Sequence, residues 1–169
     1  MPRMQRAAAF VALLLGCWTA PAAVPLEELK AAFLYNFALF VEWPTPPQGE
    51  FNLCLYDAGP FEAANSLNGK KVSGATVQIR RPARAEDLRS CHMLYIGGSD
   101  RGAHERARKA VETAPVLTVA DAVAGSENPA MISLVAENSR LAFDIDTRAA
   151  SRVGIRISSR LLRLARKVY

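Results

Sequence analysis

The segment CHMLYIGGSDRGAHERARKAVETAPVLTV, residues 91–119, carries two apolar runs separated by a polar stretch of helical composition. The first run, Cys91–Ile96, is short and apolar, as in strands that are buried on both faces of a sheet. Two glycines end this run, Arg101–Glu112 has helical composition, and Val116–Val119 is a second apolar strand. A strand, a helix and a strand at this spacing predict a right-handed parallel crossover, with the first strand at the centre of the sheet. The segment therefore indicates an α/β fold.

Further predicted elements lie on both sides of this unit. Upstream, apolar residues recur at helical spacing from Pro25 to Trp43, and prolines at positions 44, 46 and 47 end that helix. The other predicted elements are strands at Phe51–Tyr56 and Val77–Arg80, a short helix at Phe61–Leu67, an edge hairpin of Met131–Val135 with Leu141–Ile145, and a helix within Ile155–Tyr169 capped by Ser158 or Ser159. We predict a single compact α/β domain with a mixed, mainly parallel sheet flanked by helices and stapled by one disulfide.

Residues 1–23 have the three parts of a bacterial export signal. Arg3 and Arg6 form a basic front, Ala7–Leu15 is an unbroken apolar stretch, and Ala20-Pro21-Ala22 fits the small-x-small pattern of signal cleavage. The apolar stretch is about half of the roughly 20 residues that a membrane-spanning helix requires. We therefore assign residues 1–23 to a signal peptide and residues 24–169 to the folded domain, and we predict a periplasmic protein.

A second way of processing this signal is also readable. The run Leu14-Leu15-Gly16-Cys17 resembles a lipobox, whose cysteine would carry a lipid. We favour ordinary cleavage, and lipidation of Cys17 stays open as the alternative. A lipid on Cys17 would tether the protein to the membrane, whereas ordinary cleavage would leave it free in the periplasm. We expect no other contact with the membrane.

Two cysteines, Cys54 and Cys91, remain in the mature chain once Cys17 is removed or lipidated. An even pair in an oxidising compartment is expected to form a disulfide. Closing a loop of that length stabilises a fold by roughly 3 to 4 kcal/mol in the chain-entropy model.

The charge distribution argues against a nucleic acid partner. The formal net charge of +5 falls to +3 when Arg3 and Arg6 leave with the signal. The remaining basic residues are scattered or accompanied by acids, as in Arg101–Lys109 with Asp100 and Glu105. Since a nucleic acid site needs a concentrated basic patch, we expect none here.

No group of residues meets the requirements of a catalytic or metal site. Cys91 and His92 are adjacent, but neighbouring side chains of a strand point to opposite faces. His104 lies on a predicted solvent-facing helix and has no metal-ligand spacing with either cysteine of the pair. Asp144 and Asp146 share a strand face that we expect to meet water. We therefore expect a protein that is not an enzyme and has no cofactor, with a thiol enzyme as a remote alternative.

A glycine-rich turn gives a second hypothesis about function. Gly97, Gly98, Ser99 and Asp100 lie between the central strand and the following helix, where α/β folds bind anions through backbone amides. The turn matches neither the dinucleotide fingerprint nor the P-loop. The alternative function is an envelope protein that binds a small molecule at the Gly97–Gly102 loop, and the simpler interpretation is a turn that requires positive φ.

The motifs of the chain resemble one known family. KAAFLYNF at residues 30–37 and FVEWP at residues 40–44 are similar to the opening of the YfiR-like periplasmic regulators. Further motifs follow in the family's order, namely FNLC (51–54), GKKV (69–72), CHMLYI (91–96), VLTV (116–119) and SSRLLRLA (158–165). The resemblance covers essentially the whole mature chain.

The resemblance implies a non-catalytic periplasmic regulator. Such a protein binds the periplasmic portion of an inner-membrane diguanylate cyclase, represses it, and thereby modulates cyclic-di-GMP signalling and biofilm formation. The family's disulfide maps to Cys54 and Cys91. A regulator without catalytic groups acts by preferring one state of its partner, and aromatic side chains dominate interaction hot spots. We expect Tyr35, Asn36 and Trp43 to contact the partner, and Phe33, Phe37 and Phe40 to be core.

The sequence departs from the family pattern in three places. Asn128-Pro129-Ala130-Met131-Ile132 stands where a Gly-Gly-Met-Ile run is frequent, and Asp146 replaces a frequent asparagine. A second cysteine pair found in the better-known member is absent, so redox control through that pair does not carry over. The identity of the cyclase, the signal that relieves repression and the formation of a homodimer stay open.

Overall fold

The structure is a computed structural model, and it describes residues 24–122, 130–137 and 140–169. The predicted signal peptide, Cys17 and the Asn128-Pro129 departure lie outside the described residues. The described helices are α1 (Leu26–Leu39), α2 (Arg101–Val111), α3 (Thr147–Arg152) and α4 (Ser159–Leu162), with two 3-10 helices at Glu62–Leu67 and Ala85–Ser90. The strands are β1 (Val41–Glu42), β2 (Glu50–Tyr56), β3 (Lys71–Val72), β4 (Ala75–Arg80), β5 (Met93–Ile96), β6 (Leu117–Asp121), β7 (Ile132–Glu137), β8 (Arg140–Ile145), β9 (Arg156–Ile157) and β10 (Lys167–Val168).

Eight of these strands form one mixed sheet in the order β10-β8-β7-β6-β5-β2-β4-β3. Strands β7, β6, β5, β2 and β4 run parallel, and so do β10 and β8. The antiparallel pairs are β7 with β8 and β3 with β4. The segment from β5 through α2 to β6 is the predicted parallel crossover, so the predicted fold class is confirmed.

Helices cover both faces of the sheet because its central strand is apolar on both sides. Every residue of β5 is buried. Met93 and Tyr95 face the core formed with α1, and Leu94 and Ile96 face the core formed with α2. Both layers are needed, because exposing either apolar face of such a strand to water raises the free energy of the folded state.

Helix α1 buries Ala31, Leu34, Phe37 and Ala38 against the first face. The Phe37 ring makes edge-to-face contacts with Phe33 and with Phe143 of β8, at centroid distances of 5.8 and 5.0 Å. Phe37 is core, as expected, while Phe33 and Phe40 are half-buried and pack against its border. Within the described ranges, no helix has the length and apolar character to cross a bilayer.

Several predicted boundaries were wrong, and strand pairing explains them. The first helix ends at Leu39 and not at Trp43, because Val41 and Glu42 pair antiparallel with β9. The C-terminal helix is confined to Ser159–Leu162, where the Ser158 hydroxyl caps it by accepting a hydrogen bond from the Leu161 amide. Beyond it the chain becomes β10, which pairs with β8 and places the predicted hairpin one strand inside the sheet edge.

Two polar residues that we expected at the surface are buried. Asp144 is 3% exposed, and the Arg166 guanidinium donates two hydrogen bonds to its carboxylate, at 2.8 and 2.6 Å. This pair anchors β10 to β8. His104 is 5% exposed on the sheet side of α2, and its Nε2 lies 3.2 Å from the Gly98 carbonyl oxygen. The prediction for Asp144 was wrong because Arg166, which follows it in the chain, covers it. The prediction for His104 was wrong because the face of α2 that carries it packs on the sheet and on the turn before the helix.

The predicted disulfide between Cys54 and Cys91 is confirmed. It joins β2 to the residue two positions before β5, with a Cα–Cα distance of 5.9 Å and a sequence separation of 37 residues. Both cysteines are buried in the core under α2. The bond therefore links the two central parallel strands through the layer that α2 covers.

We predict that the double substitution C54A/C91A lowers the free energy of unfolding by roughly 3 to 4 kcal/mol, because the disulfide restricts the unfolded chain. Urea denaturation followed by circular dichroism measures this difference. Wild-type protein treated with a reductant is the matched control and should unfold at the same urea concentration as the double variant. An unchanged midpoint would contradict the prediction.

Candidate functional site

A groove runs between α1 and the 3-10 helix Glu62–Leu67. It is an open groove of about 740 Å³, and the small and aliphatic side chains that line it are Ala31, Ala32, Ala63 and Leu67. Small side chains line the space between α1 and the 3-10 helix, which leaves room for the groove. Sequence analysis missed it, since the two walls are separated in the chain and alanine carries no chemical signal of a site.

Tyr35 and Asn36, two of the three predicted contact residues, line this groove. The Tyr35 hydroxyl donates a hydrogen bond to the Lys71 carbonyl oxygen at 3.0 Å, and the Lys70 ammonium lies 5.2 Å from the centre of its ring. Asn36 is exposed and donates its amide to the Ala32 carbonyl oxygen at 2.9 Å. Tyr35 is thus held in one position, which lowers the conformational entropy it would lose on binding a partner.

A polar network holds α1 in place above the sheet. The Lys30 ammonium lies 2.8 Å from Oδ2 of Asp121 at the end of β6 and 3.4 Å from Glu27. Burial lowers the pKa of Lys30, but hydrogen bonding and attraction to Asp121, with a contribution from Glu27, outweigh burial and raise the pKa overall. Tyr95 donates to the same Asp121 oxygen at 3.0 Å, and burial together with the negative charge of Asp121 raises the pKa of its hydroxyl. Lys30 therefore stays charged and ties the helix to β5 and β6.

Trp43, the third predicted contact residue, is not at the surface. It is 7% exposed, its indole packs edge-to-face on Phe51 at 5.1 Å, and its Nε1 donates to the His92 carbonyl oxygen at 2.9 Å. The turn after α1 directs this side chain into the core because β1 pairs with β9 on the outside. The Trp43 side chain is therefore part of the core, and its role in partner binding stays a prediction.

His92 joins the same junction from the start of the central strand. Its Nδ1 accepts a hydrogen bond from the Asn52 backbone amide at 2.9 Å, and its ring stacks on Phe51 at 5.3 Å. An acceptor nitrogen carries no proton, so the imidazole is neutral with its proton on Nε2. Burial lowers the pKa of His92 below its ordinary value of 6.5. Cys91 lies on the opposite face in the disulfide, which matches the predicted separation of the two side chains.

The glycine-rich turn is shaped by packing and by its own carboxylate. A Cβ on Gly97 would lie 2.5 Å from the Ala58 Cα, and Gly98 has a φ of +69°, so both positions require glycine. Asp100 caps α2 by accepting a hydrogen bond from the Gly102 amide at 2.8 Å. That hydrogen bond lowers the pKa of Asp100. The helix N-terminus is therefore already satisfied by a negative group, which disfavours an anion beside Ser99.

The remaining candidates do not converge on a site. Asp146 caps α3, its Oδ1 accepting hydrogen bonds from the Arg148 and Ala149 amides at 3.0 Å each, and Asp144 is engaged by Arg166. Across the described part of the chain, no three histidine, cysteine or acidic side chains are grouped so that they could hold a metal. The groove beside α1 is the feature that brings predicted contact residues together.

We predict that Trp43→Ala lowers the free energy of unfolding by about 3 to 5 kcal/mol, because it leaves a cavity and removes the hydrogen bond to His92. Trp43→Phe is the matched control, since it keeps an aromatic ring in the core and loses the five-membered ring of the indole with its N–H donor, at a smaller cost of about 1 to 2 kcal/mol. Urea denaturation of both variants measures the difference. Equal stability of Trp43→Ala and wild type would show that this side chain is not part of the core.

We predict that stability falls as the pH is lowered from about 7 towards 5, and that His92→Asn reduces this fall. The unfolded chain takes up a proton near the ordinary pKa of 6.5, whereas folded His92 has a lower pKa. Unfolding is thus favoured in the window below 6.5, and the effect is absent above it. Asparagine keeps an acceptor for the Asn52 amide but does not titrate. Urea denaturation at several pH values gives the slope of unfolding free energy against pH for wild type and for His92→Asn. Identical slopes would show that His92 is not the group responsible for the pH dependence.

Comparison with a solved structure supports the fold. A crystal structure of a conserved domain protein from Vibrio cholerae O1 biovar El Tor strain N16961 superimposes with a TM-score of 0.53 at 15% sequence identity. The match covers 85% of this chain and 60% of that one, so the present chain spans about 60% of the length of the protein it matches. At this identity the similarity concerns the fold alone.

Comparison with family sequences is more specific. The sequence model of the YfiR/HmsC-like family matches residues 27–166, which run from the first turn of α1 to the residue before β10. The match includes both cysteines of the disulfide, both walls of the groove and the Trp43 junction. The chain therefore belongs to the YfiR/HmsC-like family.

Proposed function

We propose that this protein is a periplasmic regulator that binds the periplasmic portion of an inner-membrane diguanylate cyclase and represses it. The observation that carries this proposal is the family match over residues 27–166, since the family is one of regulators of diguanylate cyclase signalling. Repression would lower cyclic-di-GMP and thereby limit biofilm formation.

Export of the chain is part of the proposal and is supported by two features. Residues 1–23 have the pattern of an export signal. Cys54 and Cys91 form a disulfide, which persists in oxidising compartments such as the periplasm. Lipidation of Cys17 remains the alternative to free diffusion, and it would restrict the protein to partners within reach of the membrane.

The surface that we assign to the partner is the groove beside α1. Tyr35 lies there in a fixed position, and Asn36 presents an exposed amide next to it. Regulation without catalysis requires only that this surface bind the inactive state of the cyclase more tightly than the active state. A preference of about tenfold corresponds to roughly 1.4 kcal/mol, which a few contacts of this kind supply.

The alternative function, small-molecule binding at the Gly97–Gly102 loop, has less support. Asp100 already accepts the hydrogen bond of the Gly102 amide, which an anion at this helix N-terminus would use. We therefore propose that the glycines of this loop serve the packing of the connection between β5 and α2 and do not bind a ligand.

We predict that deletion of the gene raises cyclic-di-GMP in the host, and that wild-type protein supplied in trans restores the lower level. Ala32→Trp should fail to restore it, because the indole would fill the groove from an exposed position on α1. Mass spectrometry of cell extracts measures the nucleotide, and capture from solubilised membranes identifies the cyclase.

Leu39→Trp is the matched control, since Leu39 is 46% exposed on the same helix but does not line the groove. It should restore the low level of cyclic-di-GMP as wild type does. Unchanged cyclic-di-GMP after deletion, with no cyclase captured, would overturn the proposed function. If Ala32→Trp restores the low level of cyclic-di-GMP as well as Leu39→Trp does, the groove is not the surface that binds the cyclase.

A further inference from the structure

We infer that the groove beside α1 takes a cationic amphipathic helix, and this inference rests on the proposed function because the cyclase's periplasmic portion would supply that helix. The inference concerns the chemistry of the partner at this surface. It follows from the charge of the groove, from its shape and from the nature of its walls.

The charge of the groove is opposite to that of the chain. Three carboxylates line it, those of Glu27, Glu28 and Glu62, against the single ammonium of Lys70. The chain as a whole carries a formal charge of +5. An acidic groove on a basic protein attracts a positively charged segment and disfavours an acidic one.

The carboxylates differ in how far they are already paired. Glu27 lies 3.4 Å from the Lys30 ammonium. Glu62 accepts a hydrogen bond from the Asn65 amide at 2.7 Å and is exposed. Among the described residues, neither Glu28 nor Glu62 has an ion-pair partner. These two are the groups most available to lysine or arginine side chains of an incoming segment.

The shape of the groove fits a helix. Its α1 wall runs from Pro25 to Asn36, which at 1.5 Å per residue is about 16 Å, or roughly three helical turns. The alanines that line the groove permit close approach of apolar side chains at helical spacing, and Tyr35 adds an aromatic ring to the lining. Both walls are helical segments, and none of the residues that line the groove belongs to a strand, so the lining itself favours a helix over an extended peptide.

The first test measures binding of designed peptides to the complete mature protein. The probes are a fluorescent lysine–leucine amphipathic peptide of about 14 residues and a glutamate–leucine peptide of the same length and pattern. Fluorescence anisotropy should show that the lysine peptide binds wild type, and that the glutamate peptide binds at least about tenfold more weakly. The lysine peptide should lose affinity as salt is raised, because the pairing charges are exposed.

Charge-reversal variants locate the binding. Glu28→Lys with Glu62→Lys should weaken lysine-peptide binding at least about tenfold. Glu86→Lys with Glu105→Lys changes the net charge equally but lies outside the groove, and should leave binding near the wild-type value. All four side chains are exposed, so both variants should keep the wild-type circular dichroism spectrum. Reversing Glu28 at the first turn of α1 and Glu105 beside Arg108 should lower the urea midpoint only slightly, because exposed charges contribute little to stability. Equal loss in the two variants, or equal binding of both peptides, would overturn the inference.

The same variants separate this inference from the proposed function when expressed in the deletion strain. If wild type restores low cyclic-di-GMP and Glu28→Lys/Glu62→Lys does not, both stand. If both proteins restore it, the function stands and the acidic groove is not the contact. If wild type itself does not restore it, the proposed function fails whatever the peptides show. Sedimentation that revealed wild-type self-association lost in Glu28→Lys/Glu62→Lys would assign the groove to a second copy, and would overturn the inference.

Discussion

Burial of β5 on both faces is the constraint from which the arrangement of the domain follows. Met93 and Tyr95 point to one side and Leu94 and Ile96 to the other, and all four are excluded from water. Each face needs a cover, and the chain supplies α1 on one side and α2 on the other. The Cys54–Cys91 disulfide reinforces this centre, since it joins β2 to the start of β5 beneath the α2 layer.

The proposed contact surface depends on the position of α1 more than on any one side chain. Lys30 ties the helix to Asp121 at the end of β6, and the aromatic contacts of Phe37 tie it to β8. The Trp43 indole then fixes the turn that follows, through its hydrogen bond to His92. These three attachments leave one side of α1 uncovered beside the 3-10 helix, and that side is the groove. Without a packed helix the same alanines would form no surface.

Periodicity predicted the parts of the chain whose environment is set by neighbours in sequence. The central strand, α2 and the strand after it appear where the apolar runs indicated, and Phe37 is core as expected. Predictions of solvent exposure that depended on distant partners were wrong. His104 and Asp144 looked solvent-facing because nothing nearby in sequence shows that the sheet or Arg166 would cover them. Trp43 looked like a surface anchor because the β1–β9 pairing that turns it inward joins segments far apart in the chain.

The sequence by itself determined the α/β class and the family to which the chain belongs, because these rest on local patterns and on the order of motifs. The Cys54–Cys91 pair was expected from the number of cysteines, and the structure confirmed it by placing β2 beside the start of β5. Tertiary structure decided which of the predicted contact residues are accessible, and it alone revealed the acidic groove. The physical reason is that burial and surface charge are properties of elements brought together in space. Glu28 and Glu62 belong to separate helical segments, and only the packing of α1 beside the 3-10 helix makes them part of one surface.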